Sequence, residues 1–195
     1  MIPPGAVKGA RRRYGQTNAH TDETDAWLIA DMLRTDPGQL RPWHPDGLLL
    51  RQLRAKVSFV LHLTQETTRL GNRLQAVLAR YYPATLHVFH NPTAPITLLF
   101  LQTFPSREAA AVLTLEDFTR FARAHLYRQS DRVLTACFAR LRSAYPVASA
   151  ATVAAYRDEA VWLAHHLLAS LEQKKIELRA LQALFEQHPD HTLFA

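Results

Sequence analysis

Asp22 and Asp25 are the residues of this chain best spaced to do chemistry together. They stand in His20-Thr21-Asp22-Glu23-Thr24-Asp25-Ala26, which runs into the apolar Trp27-Leu28-Ile29-Ala30. A separation of three puts both carboxylates on one face of a helix, near enough to share a ligand. Hard oxygen donors suit Mg²⁺ or Mn²⁺, a cation that could then act on water or a phosphodiester. Two aspartates are too few for a two-cation nuclease centre, so further ligands would have to come from elsewhere in the fold. Acids in a first helical turn have a second use: they accept orphan N–H groups and complement the helix dipole. The spacing alone allows either use.

The second candidate group is cationic. Lys8 and Arg11-Arg12-Arg13 lie in an N-terminal stretch with no acid before Asp22. Arg51, Arg69, Arg73 and Arg80, together with His62, fall within a narrow stripe of a helix that advances about 100° per residue. Both sets could neutralise phosphates; a solvated face that keeps the protein in solution is the other reading. No base-reading motif accompanies them, so binding would be sequence-tolerant and sensitive to salt. The net charge of +6 is uneven: residues 1–82 hold twelve Lys/Arg against seven Asp/Glu, and residues 83–195 eleven against ten. Such an asymmetry suggests a polyanion partner, most often nucleic acid.

Other residue types point to less. His87-x-x-His90 and His188-x-x-His191 have ligand spacing and His165-His166 sits mid-helix, but with Cys137 the single cysteine no zinc site is expected. Trp27, Trp43 and Trp162 read as packing residues. One cysteine also excludes an internal disulfide and fits a reducing cytoplasm. Hydrophobic residues at 48% and charged residues at 21% describe an ordinary globular chain and not a disordered one. Met1-Ile2-Pro3-Pro4-Gly5 lacks the apolar core of a signal peptide. The longest apolar run, Ile96 to Phe104, is too short to span a bilayer and is broken by Gln102.

The elements that must position these residues are helical. A first helix is expected from Asp22 to Arg34, stopped by Asp36-Pro37-Gly38. The turn-rich Arg41-Pro42-Trp43-His44-Pro45-Asp46-Gly47 connects it to a long amphipathic helix from Leu48 to Tyr82, ended by Pro83. Residues 83–106, punctuated by four prolines, suit short buried helices better than strands. Thr114 is a plausible N-cap with Asp117 at the capping-box position, and a helix around Arg132–Ala144 ends before Pro146. The last helix runs from about Thr152 to Gln187. In it Ala160, Ala164, Leu167, Leu171, Leu178, Leu181 and Phe185 recur in alternating steps of three and four, a coiled-coil seam.

Taken with its surroundings, Thr21-Asp22-Glu23-Thr24-Asp25-Ala26-Trp27-Leu28-Ile29-Ala30-Asp31-Met32-Leu33 resembles the segment "TDxxDAxxIAxxL" of the DEDD-type bacterial transposases, the insertion-sequence 110 family. Ile2-Pro3-Pro4 with Val7-Lys8 is similar to the strand end and loop before that motif. The Arg51–Tyr82 helix, the Tyr82-Pro83 and Phe104-Pro105 punctuation and the closing coil ending in His188-Pro189-Asp190 extend the similarity over the whole chain. The resemblance implies an RNase-H-like fold with four acidic ligands for Mg²⁺ or Mn²⁺ in the order Asp, Glu, Asp, Asp, then a coiled coil, then a domain with a serine nucleophile. Asp22 and Asp25 correspond to the third and fourth acids.

The same resemblance sets the remaining expectations. The first Asp and the Glu would lie upstream of Met1 and the serine domain beyond Ala195. None of Ser58, Ser106, Ser130, Ser143, Ser149 and Ser170 stands where the nucleophile would. The fold is therefore expected to be mainly α: residues 1–46 a remnant of the RNase-H-like domain, 47–148 a helical arm and subdomain, and 149–195 a coiled-coil helix. The expected function is DNA transposition by a truncated member that binds nucleic acid without cleaving it alone. DNA, possibly a guide RNA, and further copies joined through the coil are the implied partners, with no membrane. The other reading is a non-enzymatic helical nucleic-acid-binding or coiled-coil assembly protein that modulates an intact transposase.

Overall fold

The computed structural model describes residues 21–35 and 46–194, with Gly9 and Gly38. Every regular element among the described residues is a helix, so the protein is mainly α. The chain divides into two units, Met1–Leu48 and Leu49–Ala195. The first contains α1 (Asp22–Thr35). Thr21, just before it, caps the helix: its Oγ1 accepts the Thr24 backbone N–H at 3.3 Å, and the Thr24 hydroxyl donates to the Thr21 carbonyl at 2.9 Å. Leu28 and Asp31 are the buried residues of this helix.

The second unit holds α2 (Leu48–Tyr81), α3 (Thr85–Val88), α4 (Pro95–Thr103), α5 (Arg107–Ala111), α6 (Leu115–Ala124), α7 (Asp131–Leu141) and α8 (Ala150–Phe185), closed by a 3₁₀ turn at Pro189–Phe194. Local chemistry sets the boundaries. Pro83, with no N–H to give, follows the end of α2. Thr114 and Asp117 form a reciprocal capping box at the start of α6. Asp117's carboxyl is held below its ordinary pKa chiefly by the Thr114 hydroxyl. Ser149 accepts the Thr152 N–H to start α8. Leu126, with φ of 59°, closes α6 in the left-handed region, where its N–H bonds the Arg123 carbonyl and the N–H of Tyr127 bonds that of Ala122.

The core lies among α3, α4, α6 and α7, the C-terminal half of α2 and the N-terminal half of α8. Phe89, Phe100 and Phe118 are fully buried at its centre. Their ring centroids are 5.6–6.0 Å apart in two edge-to-face pairs and one stacked pair, the geometries the aromatic quadrupole favours. The turn Asn91-Pro92-Thr93 packs on α2: Asn91 Oδ1 accepts the Thr93 N–H and hydroxyl at 2.9 Å. A Cβ at Gly71 would stand 2.9 Å from the Thr93 methyl, so the residue facing this turn is glycine.

Tyr81 and Tyr82 enter the same core with opposite outcomes. The Tyr81 hydroxyl donates to the Pro105 carbonyl at 3.0 Å. The Tyr82 hydroxyl is buried without a partner among the described residues. Burial pushes both phenols well above their ordinary pKa. A buried unsatisfied hydroxyl costs about 1–3 kcal/mol. Tyr82→Phe is therefore expected to leave stability unchanged or raise it by up to about 1 kcal/mol. Tyr81→Phe should lower it. Urea melts of the two variants check the pair, and a Tyr82→Phe midpoint below that of Tyr81→Phe would contradict it.

Helices α2 and α8 run antiparallel, since Lys56 meets Glu177, Arg73 meets Glu159 and Arg80 meets Tyr156. Beyond the core, the N-terminal half of α2 and the C-terminal half of α8 continue as a two-helix hairpin. The expected coil seam is thus divided. Ala160, Ala164 and Leu167 are buried in the core, whereas Leu171, Leu181 and Phe185 are half-buried and Leu178 is exposed on the hairpin. Glu177 is itself buried there; Lys56 donates to it, Gln173 adds a bond at 3.0 Å, and its carboxyl is held below the ordinary carboxylate range chiefly by Lys56. A depressed pKa stabilises above the unfolded value of about 4.3 and is lost as pH falls through the folded value. Acidification below about pH 4 is accordingly expected to lower the melting temperature more in the natural protein than in Glu177→Gln, and equal acid slopes would remove Glu177 from the account.

Candidate functional site

Two sets of polar groups are candidates: Asp22 and Asp25 of α1 and the arginine stripe of α2. In α1 the amide of the third helical residue is taken by the Thr21 hydroxyl. Asp22 and Asp25 follow in the first turn, one turn apart; Asp22 is exposed and Asp25 half-buried. Both stand three residues apart in the same helix. Asp31 does not join them. It lies about 180° round from Asp22 and about 120° from Asp25. It is buried, and its Oδ1 accepts from Arg34 Nη2 at 2.8 Å.

A divalent cation of the Mg²⁺ type takes oxygen donors, and Asp22 and Asp25 fit it in kind. They do not fit it in number, since an octahedral ion takes about six donors. Among the described residues no group of three or more His, Cys, Asp or Glu side chains is arranged to hold a metal. The histidines make local contacts instead. His87 stacks on Tyr145 with ring centroids 5.7 Å apart, His166 packs on Trp162 at 4.1 Å, and His188 Nδ1 accepts the Asp190 N–H at 3.2 Å.

Along α2 the four arginines of the stripe divide into two kinds. Arg73 donates from Nε and Nη2 to Glu159 Oε1 at 2.8 and 2.7 Å. Arg80 donates to the Tyr156 hydroxyl at 2.8 Å while its guanidinium lies 5.2 Å from the centre of that ring. These two fasten α2 to α8. Arg51 and Arg69 are exposed, with no hydrogen bond or ion pair among the described residues. Arg11, Arg12 and Arg13 lie outside the described residues, as does Trp43.

The other tryptophans differ from expectation. Trp27 and Trp162 are 51% and 54% exposed, so neither is a core residue. Trp162 lies one turn along α8 from Glu159, the partner of Arg73, and its ring packs on His166. A tryptophan at a helical position read alone suggests packing; the missing signal was that α4 and α2 cover the other faces of α8.

Three comparisons bear on this arrangement. Residues 1–83, which include α1 and all of α2, match the DEDD-type transposase family of insertion sequence 110. A Streptomyces coelicolor protein named "Mini-circle putative transposase for IS117" is 28% identical over 97% of the chain, which spans 47% of that relative. A Sinorhizobium fredii protein named "Putative transposase y4uE" is 29% identical over 67% of the chain and 36% of its own length. The chain thus spans about half the length, or less, of the curated relatives it matches. No solved structure matches it.

Proposed function

We propose, from its kinship with the DEDD-type transposases of the insertion-sequence 110 family, that this protein works in DNA transposition. The observation that carries the reading is the coincidence of the family match with α1, the helix that presents Asp22 and Asp25 after a threonine cap. In this reading the two carboxylates are members of a larger ligand set for Mg²⁺ or Mn²⁺. When bound, such a cation supplies charge stabilisation at a phosphodiester. The chain's own part is to hold two hard donors at fixed spacing and to grip nucleic acid along α2. Arg51 and Arg69 are the cations of that stripe without a partner among the described residues; Arg11, Arg12 and Arg13, outside the described residues, are the further cations of this reading. DNA is the expected ligand and a guide RNA a further one. Copies of the chain are expected to associate through the α2–α8 hairpin, whose apolar flanks are open. No helix among the described residues is long and apolar enough to cross a membrane.

Two aspartates do not make a nuclease centre, so the purified chain with Mg²⁺ or Mn²⁺ is expected neither to nick nor to join DNA. A supercoiled-plasmid nicking assay tests this. Turnover abolished by Asp22→Ala would show a complete centre and overturn the partial-site reading. Manganese-dependent cleavage restored by adding a longer relative, and lost again with Asp22→Ala and Asp25→Ala, would support it. The second reading, a non-enzymatic nucleic-acid-binding or assembly protein, draws on the exposed Arg51 and Arg69 and the open hairpin. It requires salt-dependent binding that both aspartate variants leave unchanged in the presence of the longer relative.

A further inference from the structure

The hairpin made by the first half of α2 and the last half of α8 has two open flanks that differ in charge. One is a groove of about 1080 Å³, with Leu53, Val57, Leu61, Leu171, Leu178 and Phe185 among its lining residues. Leu61 and Leu178 in it are 55% and 44% exposed. Arg54, Lys174, Lys175 and Arg179 also line it, and no acid does. Lys175 lies 3.6 Å from Glu172, an exposed pair of little strength. The opposite flank, about 510 Å³, is lined by Gln52, Ala55, Lys56, Phe59, Ala180 and Leu184. Its one cation, Lys56, is met by Glu177.

We infer that the cation-lined groove seats an amphipathic helix of a protein partner, one whose apolar stripe is flanked by acidic residues, to complete a three-helix coil. Leu171 to Phe185 spans about 21 Å at ~1.5 Å per residue, room for about four turns. A third helix covers an apolar seam between two others by packing its side chains into their gaps, and the charges beside the seam choose its identity. Lys174 and Arg179 on the α8 wall select acids. A second copy docked here across a two-fold axis would bring Lys174 and Arg179 toward their own equivalents, a like-charge contact that costs affinity. The neutral flank carries no such penalty and suits self-association. Nucleic acid would satisfy the cations but leave the apolar floor uncovered, and exposed patches of this kind mark protein contacts. The inference does not require the cationic stripe of α2 to bind DNA.

The probe is a fluorescein-labelled four-heptad peptide with leucine at the seam positions and glutamate beside them, compared with its lysine counterpart. By fluorescence anisotropy with the full chain, the glutamate peptide is expected to bind at least tenfold more tightly. Leu61→Asp/Leu178→Asp should lose that binding, and Lys174→Glu/Arg179→Glu should transfer the preference to the lysine peptide. Leu61, Leu178 and Arg179 are exposed, Lys174 is half-buried, and all four lie away from the core, so circular dichroism and the melting temperature should be retained. Equal binding of the two peptides, or none, overturns the inference. So does a sedimentation profile in which the leucine variant dissociates a dimer, which would give the groove to a second copy. A duplex DNA displaced by Lys174→Glu/Arg179→Glu but indifferent to the leucine variant would give it to nucleic acid. None of these outcomes alters binding measured at Arg51 and Arg69.

Discussion

Phe100→Ala is expected to cost about 3–5 kcal/mol, the usual range for emptying a buried phenylalanine site. Phe100 is fully buried, and its ring lies within 5.2–6.0 Å of Phe89, Phe104, Phe118 and Phe121. Removing it deletes one partner from four aromatic contacts at once. The cavity would sit where α4 meets α6, with rigid rings on its walls, so collapse into it is limited. Domains of this size hold a total of about 5–15 kcal/mol. The variant should therefore be near its unfolding threshold, with a melting temperature lower by roughly 10 °C or more. Urea unfolding followed by far-ultraviolet circular dichroism measures it. Phe104→Ala, at a half-buried position on the edge of the cluster, is expected to cost less. A Phe100→Ala midpoint equal to that of Phe104→Ala would show that the cluster is not the centre of the fold.

The second large effect is electrostatic. Arg51→Glu/Arg69→Glu should weaken binding to duplex DNA or structured RNA by more than tenfold at low salt. Each neutralised phosphate contributes about 0.9 to the slope of log affinity against log salt. Loss of two contacts should flatten that slope by about 1.8 and remove roughly a tenfold affinity change between 50 and 200 mM salt. Arg73→Glu is the informative control. Arg73 is committed to Glu159, so its reversal should lower the melting temperature while moving the salt slope less. Binding that does not vary with salt in the natural chain would exclude the phosphate role.

Much of the fold could be read from single segments. Thr21 followed by acids, and Asp36-Pro37-Gly38 after Arg34, bracket α1 as observed at Asp22–Thr35. The Thr114–Asp117 box and the Ser149 cap mark the starts of α6 and α8 for the same reason: caps are local chemistry. What could not be read was which faces meet. Arg73 and Arg80 lie on the same helical stripe as Arg51 and Arg69, but their partners stand 86 and 76 residues away. No pattern within α2 distinguishes a fastened arginine from a free one. The seam of α8 likewise announces that something covers it without saying what. Its first half is covered by the core and its second by α2 alone, which is why Leu178 is left exposed. Asp22 and Asp25 stand out in the sequence by their spacing, but among the described residues no third ligand side chain is gathered with them.

Thr21 gives α1 a property useful to anyone who alters it. The start of the helix is secured by a neutral hydroxyl, so the folding task and the charged task fall to different side chains. Asp22 can be made Asn, Ala or Lys with only the modest dipole contribution of about 0.3–1 kcal/mol at stake. Changes there report on ligand chemistry in a helix that stays wound. Thr21→Val does the reverse, loosening the winding while both acids remain, and the two kinds of defect can be told apart in the same assay.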